Sequence, residues 1–367
     1  MKKSAHAKIG LLSCAAFAAL MTATGSAQTP AGDAQAGAQF ADKIGPTMNL
    51  TGAPLALNDR NFFAGNWPVK EIRKGKVYYI PGGGDVSTVI IGDKGVIVVD
   101  PKTTRSSGEQ LIKDVAALTP KPITHVIETH SDCDHVNGIV AFPASIPVIA
   151  HVNNRAEQEQ IARLATVEIN SGYGVAPQDR LPNVLIRKNG EAATIDGVRL
   201  VFYHFGPGHT NGDLMIYLPD EKVMVAGDIL STPGAEPARK TSESFKFEKN
   251  GSTEGWLANA EGILATGADV YVTGHGQYAM PKADVKQRIA DFKAKMAKVD
   301  ALAASGMSLD DTVKAMGDRP FDPTANALDS PTQVKECPRG IQAMSDSWVR
   351  WHEWNYEHKT LDKMSSK

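Results

Sequence analysis

The chain has 367 residues, of which 42% are hydrophobic and 22% are charged, and its formal net charge is −2. These proportions are typical of a globular protein and exclude a disordered, collagen-like or coiled-coil chain. The first 27 residues contain three lysines and no acidic residue, so the remainder carries a charge of −5. This acidic balance disfavours a nucleic-acid-binding protein, which needs a basic surface to follow phosphates.

Residues 1–27 have the pattern of a cleaved secretory signal. Three lysines precede an apolar run at 9–21, and small residues follow at 25–27. We therefore expect cleavage near Ala27-Gln28 and a periplasmic or secreted protein. The apolar run is shorter than the ~20 residues that span a bilayer, and no later apolar stretch is long enough either, so no membrane insertion of the mature chain is expected. A lipid-modified Cys14 is the less favoured alternative, because it would leave a very short apolar run before the cysteine.

The remaining two cysteines are too few to hold the fold together by disulfides. In an oxidising compartment Cys133 and Cys337 have the opportunity to pair, but the sequence leaves that pairing open. Residues 28–67 are rich in Gly, Ala, Pro and Asn without a sustained period, and we assign them to an N-terminal arm.

From about residue 68 the pattern becomes that of regular structure. Short β-branched runs at 77–80, 87–91 and 96–99 are separated by turn residues, which predicts a three-stranded meander. Ser106-x-x-Glu109 is a capping box and predicts a helix that continues to 118. Further strands are predicted at 123–127, 146–150, 184–186, 198–203, 214–218, 223–226 and 270–273, with helices at 154–166 and 256–264. This mixture favours a layered α/β domain over residues 68–280.

Residues 281–367 are predicted to form a C-terminal helical extension. Apolar residues recur there at spacings of three and four, which is typical of a helix with one buried face. Three of the five tryptophans lie within seven residues, at Trp348, Trp351 and Trp354. We expect these rings to dock onto the protein's own body rather than onto a ligand.

The segment His130-Ser131-Asp132-Cys133-Asp134-His135 directly follows an apolar strand. Two carboxylates interleaved with two histidines cannot be buried together without a partner, because neighbouring carboxylates repel and desolvation is costly. A divalent metal ion is the natural counter-charge. A solvated acidic turn would not need the two histidines.

Three further candidates stand beside glycines at predicted strand ends: His209, Asp228 and His275. Strands of one sheet would deliver these side chains to a common edge. Glycine allows the backbone to turn closely around an ion, a requirement that a purely structural histidine would not impose. His151 and His204 also follow strands, but we expect them to hydrogen-bond to the backbone without ligating the metal.

The order and spacing of these residues resemble the metallo-β-lactamase superfamily, whose signature is His-x-His-x-Asp-His followed by separate His, Asp and His motifs. The intervals here are 74, 19 and 47 positions, and the resemblance covers roughly residues 77–277. It implies a four-layer αββα sandwich of the α/β class, with metals at one edge of two sheets. Residues 68–280 would form this metallo-β-lactamase-like domain.

The resemblance also implies a site for two divalent metal ions. Carried over position by position, the ligands are His130, Asp132 and His209 for the first ion, Asp134, His135 and His275 for the second, and Asp228 as a bridging carboxylate. A bridging hydroxide would then be the nucleophile. We assign Asp134 and Asp228 as the catalytic residues.

The chain departs from the family pattern at Asp132, where a histidine is usual. A carboxylate adds one negative charge and a harder oxygen ligand than imidazole. Zinc is the metal we favour, and iron or manganese is the alternative that this ligand admits. Together with Asp134, Asp228 and a hydroxide, Asp132 would cancel the four charges of two divalent ions. We therefore expect the centre to be a weaker Lewis acid than the usual pattern provides.

The function expected from the resemblance is hydrolysis of an ester, lactone or amide bond in a small molecule by a secreted metal-dependent enzyme. β-Lactam hydrolysis is the leading specific alternative, since export places the enzyme where a lactamase works. An alternative of another class is a non-haem iron redox enzyme of the persulfide dioxygenase or flavodiiron kind. A non-catalytic relative with an empty first site is a third. No nucleic-acid partner is expected, and the sequence does not reveal the oligomeric state.

Overall fold

The computed structural model describes residues 68–83, 85–168, 180–232, 243–246, 249–276, 279–318 and 344–365, all within one compact unit, Leu50–Lys367. The predicted signal at 1–27, the predicted arm at 28–67 and Cys337 lie outside the described residues, so those assignments stay predictions. Among the helices that are described, none is both long and apolar enough to cross a membrane.

Seven strands form the first sheet. In spatial order they are β1 (Lys70–Arg73), β2 (Val77–Gly82), β3 (Asp85–Ile91), β4 (Val96–Val99), β5 (Ile123–Ile127), β6 (Val148–His151) and β7 (Val184–Ile186). The first four are antiparallel neighbours, and β4 to β7 run parallel.

Six strands form the second sheet. They are β8 (Glu191–Ile195), β9 (Val198–Tyr203), β10 (Met215–Leu218), β11 (Val223–Val225), β13 (Val270–Val272) and β14 (Met280–Pro281), in the spatial order β14-β13-β11-β10-β9-β8. A separate two-stranded sheet pairs β12 (Ser244–Phe245) with β15 (Met344–Ser345).

Helices cover the outer faces of both sheets. The described helices are α1 (Arg105–Leu118), α2 (Cys133–Val136), α3 (Val152–Glu168), α4 (Thr253–Leu264), α5 (Lys282–Ala304), α6 (Leu309–Met316) and α7 (Asp346–Ser365). Two 3-10 helices, Asn137–Ala141 and Gly227–Ile229, lie among them.

The two-residue period of the strands creates the layers. In β4, Ile97 and Val99 face the second sheet, where they share a buried cluster with Ile216 of β10. Their neighbours Val96 and Val98 point the other way and pack with α1. The first sheet is therefore buried on both faces, as the continuous Val-Ile-Val-Val sequence of β4 requires.

The outer face of the second sheet is covered by α4, α5 and α7. Met215 and Tyr271 of the sheet share a buried cluster with Trp256 of α4, Phe292 of α5 and Val349 of α7. The Trp256 and Phe292 rings lie 4.2 Å apart, centroid to centroid. These contacts complete the four αββα layers, so the predicted fold class is confirmed.

The C-terminal tryptophans behave as expected where their contacts are described. Trp348 packs against the cluster that α5 and α7 share, and Trp351 Nε1 donates to the Met307 carbonyl at 3.1 Å. The indole rings of these two residues therefore contact the protein's own C-terminal segment, Trp348 at the helices and Trp351 at the loop between α5 and α6.

One local prediction was wrong. The capping box of α1 is formed by Thr104 and Ser107, not by Ser106 and Glu109. Each of the two side chains accepts a hydrogen bond from the backbone N–H of the other, at 3.1 and 2.8 Å. The helix therefore begins two residues closer to β4 than the sequence pattern indicated.

We expect Phe292→Ala to lower the free energy of unfolding by about 3 to 5 kcal/mol, because it leaves a cavity between Trp256 and Phe245. Urea unfolding measures the change. Lys293→Ala at the next, half-exposed position breaks only a surface ion pair with Glu261 and should cost under about 1 kcal/mol. Similar costs for both variants would contradict the packing assigned to this face.

Candidate metal centre

All seven predicted ligands lie at one edge of the two sheets. His130 and Asp132 follow β5, and Asp134 and His135 stand on α2, which begins directly after Asp132. The other three follow strands of the second sheet: His209 follows β9, Asp228 is in the 3-10 helix after β11, and His275 follows β13.

His130, Asp132 and His209 form the first triad. The Oδ2 atom of Asp132 lies 3.2 Å from His209 Nε2 and 3.8 Å from His130 Nε2. All three residues are buried. One ligand atom from each falls within 4.8 Å of the others, so the set is compact enough to hold one ion.

Asp134, His135 and His275 form the second triad. Asp134 Oδ2 lies 3.4 Å from His275 Nε2 and 3.9 Å from His135 Nε2, and the two imidazole nitrogens are 3.3 Å apart. This triad is more open, since the side chains of Asp134 and His275 are 27% and 37% exposed. Solvent and a small molecule can therefore reach the second triad more easily than the first.

Asp228 lies between the two triads. Its Oδ2 is 3.5 Å from His209 of the first triad and 3.2 Å from His275 of the second, and its Oδ1 is 3.3 Å from His135. Burial alone would raise the pKa of Asp228, but His275 and His135 outweigh it and hold that pKa well below the usual range. This placement suits a carboxylate that contacts two ions.

The chemistry of the donor set fits divalent metal ions. Imidazole nitrogens and carboxylate oxygens are ligands that zinc, iron and manganese accept. His130 Nε2 and Asp228 Oδ1 are buried and have no hydrogen-bond partner among the described residues. Buried polar atoms of this kind ordinarily have a partner, and a metal ion would supply one.

Asp100, which the sequence analysis missed, connects the two triads from behind. Its Oδ2 accepts from Thr129 Oγ1 at 2.8 Å and lies 2.9 Å from His135 Nδ1. Thr129 Oγ1 is also 2.9 Å from His130 Nδ1. Because the threonine proton goes to Asp100, His130 Nδ1 must be the donor in that contact, and both Nε2 atoms present lone pairs to the centre. The sequence signal that could have identified Asp100 is its position as an acidic residue directly after β4.

A second buried pair lies behind His135. Lys102 is fully buried, and its Nζ lies 3.0 Å from Asp85 Oδ1 and donates to the Ile80 carbonyl at 2.7 Å. Burial raises the pKa of Asp85 to about 7, and the charges of Lys102 and His135 oppose the shift. Asp85 Oδ2 is 3.9 Å from His135 Nδ1, so a further carboxylate faces this imidazole.

Asp213, also missed, shapes the loop that carries His209. Its Oδ2 accepts from the backbone N–H of His209 at 2.8 Å and of Gly208 at 3.2 Å, and its Oδ1 accepts from Thr210 Oγ1 at 2.8 Å. Three successive residues are thereby tied to one carboxylate. The backbone of His209 is fixed before any ion binds.

Glycine beside the ligands has the steric role that the sequence predicted. A Cβ atom on Gly274 would lie 2.0 Å from Asp228 Oδ1, and Gly227 adopts a φ of 53°. A side chain at Gly274 would therefore displace the central carboxylate.

Two lysines stand beside Asp132. Lys249 Nζ lies 2.6 Å from Asp132 Oδ1, and Lys246 Nζ lies 3.4 Å from Asp132 Oδ2. Burial alone would raise the pKa of Asp132, but Lys246 and Lys249 outweigh it and hold that pKa well below the usual range. Nothing in the sequence signalled these contacts, because Lys249 is 117 positions from Asp132.

The remaining candidates lie outside the seven-residue centre. His151 and His204 stack on each other at 4.0 Å, and His204 Nδ1 contacts the Asp213 carbonyl at 2.7 Å. Cys133 is disulfide-bonded, while Cys337 lies outside the described residues. Cys133 is thus not a free thiol that acts as a nucleophile.

The chain belongs to the metallo-beta-lactamase superfamily, whose family model matches residues 81–275. It is 29% identical over 163 residues to the 2,4-dinitroanisole O-demethylase subunit alpha of Nocardioides sp. (strain JS1661), covering 43% of this chain and 45% of that one. It is 25% identical over 178 residues to a metallo-beta-lactamase type 2 of Bacillus sp. (strain 170), covering 48% and 62%. The chain spans less than two thirds of the length of either relative.

A solved structure supports the same fold. A double mutant of the sec-alkyl sulfatase PisA1 superposes with a TM-score of 0.53 at 19% identity, covering 84% of this chain and 54% of that one. At this level of identity the likeness concerns the fold.

We expect Thr129→Val to weaken zinc binding at the first triad by about 10- to 100-fold, since the buried His130 Nδ1–H loses its acceptor. Titration of the metal-depleted protein against a chromophoric chelator measures the affinity. Thr129→Ser keeps the hydroxyl and should bind zinc nearly as the native chain does. Equal affinities for all three proteins would contradict the proposed hydrogen-bond chain.

His151 predicts a pH dependence of stability. Burial, followed by the charge of His204, lowers the pKa of His151 to about 4 from 6.5. The neutral ring therefore contributes stability that is complete above pH 6.5 and is lost as pH falls towards 4, by roughly 1 to 3 kcal/mol. Urea unfolding of the metal-depleted chain at several pH values should show a shallower decline for His151→Gln, but not for His358→Gln at an exposed site. Parallel curves for both variants would be evidence against this assignment.

Proposed function

We propose that the chain is an exported metal-dependent hydrolase that cleaves an ester, lactone or amide bond in a small molecule. It would use two divalent metal ions, and zinc is the metal that we favour. The observation that carries the proposal is the convergence of two His/Asp triads on Asp228. Export is proposed from the signal pattern of residues 1–27, which lie outside the described residues.

The two triads would hold one ion each, and Asp228 would contact both. Bound divalent ions lower the pKa of water and polarise a carbonyl or similar oxygen. The chain's own contribution is to fix the ligand atoms before binding. Asp100 orients His135 directly and His130 through Thr129, and Asp213 fixes the backbone of His209.

Asp134 is the carboxylate best placed to handle a proton. Its side chain is 27% exposed, whereas those of Asp132 and Asp228 are 9% and 7% exposed. Among the three carboxylates, Asp134 is therefore the one that a water molecule from solvent reaches most easily. We assign it to orient the attacking water and accept its proton, while Asp228 fixes the distance between the two halves of the centre.

Names of similar proteins supply the candidate substrate classes. One relative is a metallo-beta-lactamase, one is a 2,4-dinitroanisole O-demethylase subunit, and one is an (R)-specific secondary-alkylsulfatase, 28% identical over 188 residues. β-Lactam hydrolysis remains the leading specific alternative, and sulfate-ester hydrolysis joins it on these grounds. A non-haem iron redox enzyme is the alternative of another class, which the hard oxygen ligand of Asp132 motivates.

The test is metal analysis of the purified protein together with a hydrolysis panel. The panel contains nitrocefin, a lactone, an aryl ester, an alkyl sulfate and 2,4-dinitroanisole, each assayed before and after chelation. We expect two ions per chain, loss of turnover on chelation and recovery with zinc. Asp134→Asn should lower kcat by about 100-fold or more.

Glu159→Gln is the matched control, since it also converts an acid to an amide but lies in a surface ion pair with Arg155 on α3. Its turnover should equal that of the native chain. Iron as the main metal with no hydrolysis would favour the redox alternative. Chelator-resistant hydrolysis, or full activity of Asp134→Asn, would overturn the proposal.

A further inference from the structure

The two triads differ in the cations that surround them. The carboxylate of the first triad has Lys249 at 2.6 Å and Lys246 at 3.4 Å. Among the described residues, no lysine or arginine lies within ion-pair distance of Asp134 or Asp228. The buried Lys102 behind His135 is paired with Asp85, which is not one of the seven candidate ligands.

The two oxygens of Asp132 face different groups. Oδ2 points towards His209 Nε2 and His130 Nε2, whereas Oδ1 is held by Lys249 Nζ. Only Oδ2 therefore faces the other two groups of the triad. Lys246 Nζ approaches this same Oδ2 atom, the oxygen that faces the two histidines, at 3.4 Å.

The lysines are fixed in place by the surrounding fold. Lys249 Nζ also donates to Ser131 Oγ at 2.8 Å, and Ser131 Oγ donates to Glu157 Oε2 at 2.5 Å. The Lys246 backbone N–H donates to the His209 carbonyl at 2.9 Å. Phe245, next in the chain, is completely buried in the cluster under α5. Both lysine side chains are mostly buried, at 18% and 16% exposed.

We propose that Lys246 and Lys249 act as internal counter-ions of Asp132, so that the first triad is the weaker metal site and fills only after the second. The inference rests on the proposed metal centre. Two ammonium charges within 3.4 Å of the Asp132 oxygens would repel a divalent cation there and compete for those oxygens, and partial burial limits screening by solvent. Asp228 lies beside both triads, so the difference is that Asp134 of the second triad has no such competition among the described residues.

The pair also changes the charge argument made from the sequence. Asp132 adds one negative charge relative to the usual histidine, but Lys249 offsets it and Lys246 adds a further positive charge. With both metal ions bound, the centre and its two lysines would therefore carry a net positive charge. The charge cancellation from which the sequence analysis expected a weaker Lewis acid is then no longer complete.

Stepwise zinc titration of the metal-depleted full chain tests the inference, with a competing chromophoric chelator and metal counting rather than turnover. We expect one tight step and one step at least about tenfold weaker. His275→Ala should remove the tight step, and His209→Ala should remove the weak one. These two variants assign the steps even if a lysine variant fails to fold.

Lys249→Met should strengthen the weak step by about tenfold or more, and Lys249→Arg, which retains the charge, should leave it weak. Lys293→Met on the surface of α5 is the matched control and should change neither step. Two equal steps, a tight step that depends on His209, or an unchanged or weaker step in Lys249→Met would overturn the inference while leaving the metal centre intact. No zinc binding at all would overturn both this inference and the proposed function.

Discussion

Seven ionisable side chains are buried or half-buried together at one edge of the fold, and their mutual charge is the constraint on which the site depends. Asp228 lies within 3.8 Å of a nitrogen of each of the four histidines. Such a group is stable only when opposite charges and hydrogen bonds offset the desolvation of each member. The surrounding structure supplies hydrogen-bond and ion-pair partners to several of these side chains.

The partners behind the two triads are of different kinds. Behind His130 and His135 stands a carboxylate, Asp100, which orients imidazole rings through their Nδ1 atoms. Beside Asp132 stand two ammonium groups, which neutralise a carboxylate instead. A single edge of the fold thus offers two sites of different electrostatic character, although each has two histidines and one aspartate.

Several elements could be predicted because their signals are local. The uninterrupted apolar sequence Val-Ile-Val-Val of β4 predicts a fully buried strand, and β4 is covered on both faces. By contrast, β1 and β8 were not predicted. The sequence Lys-Glu-Ile-Arg of β1 is largely charged, and β8 has few large apolar residues, since both are edge strands that face solvent. Their pairing comes from neighbours, not from their own composition.

The candidate ligands could be found from the sequence because metal chemistry restricts residue type, and because strand ends of a layered α/β fold meet at one edge. Asp100, Asp213, Lys246 and Lys249 carry no comparable local signal. An aspartate after a strand or a lysine in a loop occurs in many proteins, and its role depends on which distant atoms it meets. The sequence by itself determined the fold family and the seven-residue set. Only the tertiary structure decided the electrostatic environment of each triad, because a charge acts through distance in space, and 117 positions of chain separate Lys249 from the carboxylate it contacts.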